Sequence, residues 1–337
     1  MMRTQNNATL SVRTARAFKR SIGNSTGGLM KVRLPVFATL TIALTFASIV
    51  SAKHFGDWGA PVNAESIPGT SSELNTPAND GYPIESPDGR SLYIVSDRLP
   101  GGFGGLDIWV ARRAHKDDPW GAPENLGMPV NSSANDWSPT PVPGHGLYFV
   151  SGRAGGCGPA GTDDIYFTRF KKDAWEEPQN LGCQINSTAG EASPSYFEDE
   201  SGHAILYFSS NRSGGLGQQD IYFSVDFGPA QLDSGLSDAS NDVRPNVRKD
   251  GLEIVFDSNR AGSFGMQDIW TASRETTADQ WSTPTNLGPL INTAFMEARA
   301  TLSRDGFTMY FGSNRVGGDG LSDIYVTSRE KLKGKEH

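Results

Sequence analysis

Apolar and polar residues alternate along this chain in short runs, and no long stretch repeats with helical spacing. Residues 308–326, TMYFGSNRVGGDGLSDIYV, show the pattern. Tyr310 and Phe311 lead into Ser313-Asn314-Arg315, a turn with Gly317, Gly318 and Gly320 follows, and Asp323-Ile324-Tyr325 opens a return strand. Aromatic and β-branched residues favour a pleated surface, and the glycines supply the turn. The same phrase occurs as LYIVSDR…DIW at 92–109, LYFVSGR…DIY at 147–166, LYFSSNR…DIY at 206–222 and IVFDSNR…DIW at 254–270. Its arginines, Arg98, Arg153, Arg212, Arg260 and Arg315, are 55, 59, 48 and 55 residues apart. A period near 50 built from strands predicts a propeller or an array.

Each unit reads as four strands. Strand A precedes a turn such as Pro87-Asp88-Gly89 or Lys249-Asp250-Gly251, B carries the aromatic pair, C begins at Asp-Ile-Tyr/Trp, and D holds W-x-x-P-x-N. The D pattern occurs at Trp58/Pro61/Asn63, Trp120/Pro123/Asn125, Trp175/Pro178/Asn180 and Trp281/Pro284/Asn286, and its Pro suits an outer edge. In the third unit, residues 226–240 replace the Trp strand. The chain starts with an orphan strand D and stops after a strand C. The expectation is therefore an all-β fold, one propeller of five four-stranded blades, closed by the N-terminal strand completing the last blade.

The SPDG turn at residues 86–89, the SNR…DIY hairpins and the W-x-x-P-x-N strands resemble the WD40-like repeats of TolB-like propellers over residues 57–328. The resemblance implies an exported binding scaffold that contacts other envelope proteins. Propellers of that family usually have six blades beside a separate N-terminal domain. This chain has five units and no room for a second domain, so the resemblance is to the repeat and not to TolB itself.

Composition adds a compartment. Residues 1–52 hold seven basic and no acidic residues against a chain total of −8, which leaves −15 on the remainder. An acidic body disfavours nucleic acid and anionic membranes. Met30-Lys31-Val32-Arg33, the apolar run 34–50 and Val50-Ser51-Ala52 read as a signal peptide over 30–52, with an uncleaved anchor as the alternative. Residues 1–29 read as an over-extended N-terminus or a basic leader, and 53–337 as the propeller. The expected location is periplasmic or secreted, with no membrane insertion after cleavage. Export permits a disulfide, and Cys157 and Cys183 are the only cysteines and fall in one blade.

Strands alternate direction in a blade, so the B–C and D–A loops share one face. An acid begins every strand A: Asp80, Asp136, Glu191, Asp242 and Glu297. They could form a ring of carboxylates at the channel mouth, each pair repelling by roughly 0.5 kcal/mol in water and about 2 kcal/mol at an effective dielectric of 20. The five arginines after strand B lie on the same face. Either they pair with the acids internally, or the mouth holds a cation or a basic side chain. Trp137 follows Asp136 where other units have Gly81, Ala192, Val243 and Ala298, and reads as a ligand platform. Asn75, Asn131, Asn186 and Asn292 read as Asx turns in the D–A loop, and Asp107, Asp164, Asp220, Asp268 and Asp323 as caps of loop amides. The strand-D tryptophans read as packing between blades. Residues 156–161 match G-x-G-x-x-G, but no helix follows, so dinucleotide binding is rejected. The histidines are scattered, and neither metal-ligand spacing nor a nucleophile elbow occurs.

These readings favour a non-enzymatic scaffold, a monomer without cofactor, metal or catalytic residues. It would bind an envelope or extracellular protein or a polysaccharide on the D–A/B–C face. The alternative is a propeller-type glycoside hydrolase or lyase using carboxylates at the mouth, which would need unequal acids in an open pocket.

Overall fold

The alternating runs resolve into 21 strands and one short 3-10 turn in a computed structural model that describes residues 55–332. The signal peptide and the leader lie outside the described residues. Strand β1 (Val62–Asn63) comes first. Blade one is β2 (Asp80–Glu85), β3 (Ser91–Ser96), β4 (Asp107–Arg112) and β5 (Glu124–Asn125). Blade two is β6 (Asp136–Val142), β7 (Gly146–Ser151), β8 (Asp164–Lys171), β9 (Ala174–Trp175) and β10 (Gln179–Asn180). Blade three is β11 (Glu191–Glu198), β12 (Ala204–Ser210), β13 (Asp220–Val225) and β14 (Gln231–Leu232). Blade four is β15 (Asp242–Val247), β16 (Glu253–Ser258), β17 (Asp268–Ser273) and β18 (Thr285–Asn286). Blade five is β19 (Glu297–Leu302), β20 (Thr308–Ser313) and β21 (Asp323–Ser328), completed by β1.

All the pairings within the blades are antiparallel, and the protein is a five-bladed β-propeller. Closure is by the N-terminal strand: Val62 pairs with Val326 and Asn63 with Tyr325. Outside the strand, the Gly59 amide donates to the Ser328 carbonyl at 2.8 Å and the Gly56 amide to that of Glu330 at 2.8 Å. The core lies between blades. Ile94 and Trp109 of blade one pack with Tyr310 and Ile324 of blade five, and Val95 and Ile108 with Phe149 and Tyr166 of blade two. Each such side chain contributes about 1.5–3 kcal/mol of burial.

Outer strands are shorter than the W-x-x-P-x-N pattern suggested, two residues each, with Trp outside the ladder. Trp120 and Trp281 are buried between blades, their indole N–H groups donating to the Tyr310 hydroxyl at 3.3 Å and the Tyr207 hydroxyl at 3.0 Å. Trp175 departs. The Lys172-Asp173 turn, with φ of 50° and 60°, extends β8 into an extra hairpin, so that Trp175 is only half-buried, edge-on to Phe170 while still packing against the core between blades one and two. Blade three keeps an outer strand without a Trp, because β14 takes the place on β13.

Strand A is not regular in any blade. Its register shifts between Gly81 and Ile84, Trp137 and Thr140, Ala192 and Ser195, Val243 and Asn246, and Ala298 and Thr301. At each bulge sits a left-handed residue: Tyr82 (φ 52°), Ser138 (56°), Ser193 (53°), Arg244 (56°) and Arg299 (63°). Four are followed by Pro, which loses no ladder bond at a bulge. Five strained non-glycine residues at one level of a fold mark a place where side-chain direction matters more than backbone comfort.

Candidate functional site

The acids that begin each strand A are built into the blades. Asp80, Asp136, Glu191, Asp242 and Glu297 are all 0% exposed. Each meets its own arginine: Arg98–Asp80 at 2.5 Å, Arg153–Asp136 at 2.8 Å, Arg212–Glu191 at 3.0 Å, Arg260–Asp242 at 2.5 Å and Arg315–Glu297 at 3.1 Å. The guanidinium also donates to a D–A loop carbonyl, as from Arg153 to Val130 at 2.5 Å, and its Nε to the serine that ends strand B. The carboxylate takes a backbone amide and a hydroxyl from the loop, Ser132 in blade two, except in blade four, where Asp238 gives the amide alone. The expected ring is thus present as five internal ion pairs, and not as a row of carboxylates open to a ligand.

The neighbouring polar residues complete this frame. Asn131 accepts from the Ile108 amide at 2.9 Å and donates to the Ile108 carbonyl at 2.9 Å, and Asn75, Asn186 and Asn292 clamp Ile324, Ile165 and Ile269 in the same way. These are cross-loop clamps that mimic a strand partner, not the Asx turns expected. Ser237 replaces the amide in the fourth case, accepting from the Ile221 amide at 2.9 Å. The strand-C aspartates cap loop amides: Asp107 takes the Phe103 amide at 2.5 Å and Asp268 the Phe264 amide at 2.7 Å. Cys157 and Cys183 are disulfide-bonded, with Cα atoms 5.6 Å apart. Trp137 is half-buried, edge-on to Tyr82 at 5.2 Å, and donates to Asp163 at 3.3 Å, so it packs beside the channel.

The asymmetry lies deeper. The five bulge residues line the channel, in a cavity of about 30 Å³ shared with Thr140 and Asn246. One aromatic, two hydroxyls and two guanidiniums stand where the symmetry of the fold puts five equivalent positions. Ser138 and Ser193 bond each other at 3.0 Å. Arg244 donates to Asp257 at 3.0 Å, to Gln267 at 2.9 Å and through Nε to the Tyr82 hydroxyl at 3.3 Å. Asp257, fully buried, also takes the backbone amide of Arg299. Burial pushes the Asp257 carboxyl up, against the pull of Arg244. The Arg299 guanidinium stacks over Tyr82 at 4.3 Å, and burial holds its pKa below the ordinary value. Gly81 makes the room, since a Cβ there would lie 2.5 Å from Arg299 Nη1. In the sequence this cluster is marked only by Asp257 in DSNR, where other units have Val, Ser or Gly, and by Arg244 and Arg299 where they have Tyr or Ser.

At the opposite face, formed by the A–B turns, the channel opens into a basin of about 450 Å³. Glu85, Tyr196, Phe197, Glu198, Asn246 and Lys249 contribute to its walls. Strand A ends in Glu85, Val142, Glu198, Val247 and Leu302, so only two blades place an acid there. The two differ. Glu85 is nearly buried, accepts from Arg113 at 2.8 Å and from the Tyr310 hydroxyl at 3.1 Å, and burial raises its carboxyl above the usual range while Arg113 pulls it back. Glu198 is exposed and accepts from the Tyr196 hydroxyl at 3.0 Å. Tyr196 stacks on Phe227 at 6.5 Å and on Tyr148 at 5.6 Å, which makes an aromatic shelf at the rim.

No known family description matches the chain. No characterised protein matches it in sequence. Solved structures do. A xylan β-1,4-xylosidase from Bacillus halodurans C-125 aligns with a TM-score of 0.50 at 15% identity, over 79% of this chain and 55% of that one. A GH43_12 protein retrieved from a capybara gut metagenome aligns with a TM-score of 0.50 at 14% identity, over 82% of this chain and 61% of that one. TolB from Acinetobacter baumannii aligns with a TM-score of 0.42 at 14% identity, over 77% of this chain and 55% of that one. Identities this low show the propeller fold alone. The two that reach a TM-score of 0.50 are a xylosidase and a GH43_12 protein, which runs against the expectation of a non-enzymatic scaffold and leaves its glycoside hydrolase alternative as the reading to argue. The face chosen for that scaffold is also the one whose acids and arginines are consumed by internal pairs.

Proposed function

We propose that this propeller hydrolyses a glycosidic bond in the basin on the A–B turn face. The observation that carries the reading is the pair of unlike carboxylates at Glu85 and Glu198 on one basin, in a fold whose other recurrent acids are paired. Glycoside hydrolysis needs two carboxyls with different protonation. Glu85, with its raised pKa, is suited to protonate the leaving oxygen. Glu198 is suited to activate water or to attack the anomeric carbon. Tyr196 offers an aromatic face to a sugar ring, and Asn246 and Lys249 offer donors to its hydroxyls. The carboxylates of the Arg face, which the sequence suggested for such chemistry, are not used. The likeness to glycosidase propellers is one of fold and supports the reading only that far.

The repeat itself we assign to the TolB-like, WD40-like class on its recurring SNR…DIY hairpins. We also propose export to the periplasm or medium, supported by the 30–52 signal pattern and by the disulfide. Protein recovered from either place should have the mass of a chain starting at Lys53. The functional test is a panel of aryl glycosides and polysaccharides. Hydrolysis of one of them should fall by about 10²-fold or more in Glu85→Gln and in Glu198→Gln, each with unchanged melting temperature. A wild-type protein that cleaves nothing on the panel, or variants that retain full kcat, would remove the assignment.

A further inference from the structure

The channel residues are used by none of this chemistry, and their charges do not cancel. Two guanidiniums, Arg244 and Arg299, face one carboxylate, Asp257. Both oxygens of Asp257 are engaged, by Arg244 and by the Arg299 backbone amide, so the carboxylate is held on the wall. Arg244 is satisfied by Asp257, Gln267 and Tyr82. Arg299 is not: its Nε is buried with no hydrogen-bond partner among the described residues, and a stack over Tyr82 at 4.3 Å does not replace one. A buried cationic donor left unmatched costs more than an ordinary lost hydrogen bond. Across the ring from the arginines stand Ser138 and Ser193; the Ser138 hydroxyl donates to Ser193, which leaves the Ser193 proton to turn into the same space.

We propose that the central channel binds a small monoanion, a halide or a single carboxylate group, between Arg299 and Arg244 on one side and Ser138 and Ser193 on the other. Size limits the ligand. The cavity of about 30 Å³ exceeds the ~10–15 Å³ that one water needs on the same measure, so it admits a chloride or a carboxylate head and is far smaller than the basin, where a sugar ring would sit. The bulge in each strand A acquires a purpose: it turns five strained residues inward to one point. Because Ile84, Thr140 and Asn246 border both channel and basin, the anion can arrive free or as the carboxylate of a ligand seated in the basin. The proposal does not depend on hydrolysis there.

The test uses the full exported chain at constant ionic strength. Sodium methanesulfonate, whose anion is bulkier and more weakly hydrogen-bonding than chloride or a carboxylate, is replaced stepwise by sodium chloride, sodium acetate or sodium glucuronate. A saturable rise in melting temperature of about 3 °C at a tenfold excess over Kd is expected with chloride or a carboxylate. Chloride-35 linewidths read binding directly: the protein should broaden the line, and excess bromide should narrow it again, a competition that needs no variant. Arg299→Met should abolish the broadening, while Arg112→Met, at an exposed outer position, should not. Glucuronate outranking acetate, and yielding to chloride, would identify the carboxylate of a basin ligand as the source; chloride alone would identify the free ion. Equal melting in chloride and methanesulfonate, or a line that bromide leaves broad, would overturn the site.

Discussion

At the scale of single residues, two kinds of charge have opposite fates in this protein. The strand-A acids are repeated, buried and matched one to one, and each serves the loop that it sits under. Such a pair is weak evidence of net stability, yet breaking it strands a buried guanidinium. Asp136→Ala and Asp242→Ala should therefore each destabilise by about 3–5 kcal/mol in urea unfolding, and by similar amounts. Trp137 lies beside the first and Val243 beside the second, so a ligand site at Asp136 would make the two variants differ in binding rather than agree in stability. Agreement in stability with unchanged glycoside turnover per folded molecule is the expected result. A variant that melts like the parent would show that the ion pair does not hold the loop. The unrepeated charges Arg244, Arg299, Glu85 and Glu198 are the ones placed on open or hollow surfaces, with Asp257 buried behind the two arginines.

At the scale of elements, strands B and C were legible in the sequence because period-two alternation, aromatic residues and glycine turns agree with the ladder that they form. The short strand D was legible only in part: W-x-x-P-x-N marks its place, but Trp lies outside the two paired residues, and Trp175 shows that one longer hairpin can divert it. Strand A misled most. Tyr82-Pro83, Ser138-Pro139 and Arg244-Pro245 look like interrupted strands, and nothing in local propensity says that the preceding residue turns left-handed and points inward. The acids were easy to see because they recur. Glu85, Glu198 and the channel cluster were hidden because they do not. The closing element also carries a titration. Glu65, in the 3-10 turn after β1, accepts the Asn75 amide at 2.8 Å, and burial and then Asp319 push its carboxyl up to about 7. Its folded pKa exceeds its unfolded one, so the stabilisation is complete below about 4.5 and is lost as pH rises through about 7. Melting temperature should fall between pH 5 and pH 8 more steeply in the parent than in Glu65→Gln. Parallel curves would show that Glu65 does not titrate in this window.

At the scale of the whole molecule, a ring has no free edge only while its last blade is complete. Completion here rests on little backbone: two residue pairs between β1 and β21, and two main-chain bonds from Gly56 and Gly59. Side chains add to it. Arg329 lies over Phe55 at 4.0 Å and over Trp58 at 4.2 Å, while its Nη atoms bond Glu253 of blade four at 2.8 and 2.6 Å. Arg329 therefore ties blade five to blade four, and the segment that leads into β1 covers it with aromatic rings. Removing residues 53–64 would leave β21 as a bare edge and uncover the indole side of Arg329. The four main-chain links and the aromatic cover together make a loss of about 3 kcal/mol or more, or roughly 6–12 °C in Tm for a chain of this size. The exposed edge should also bring concentration-dependent aggregation. A chain starting at Lys53, which keeps the strand, is the control and should melt like the full-length protein. If the chain starting at Glu65 melts with the control and stays monomeric, the ring does not depend on its first strand.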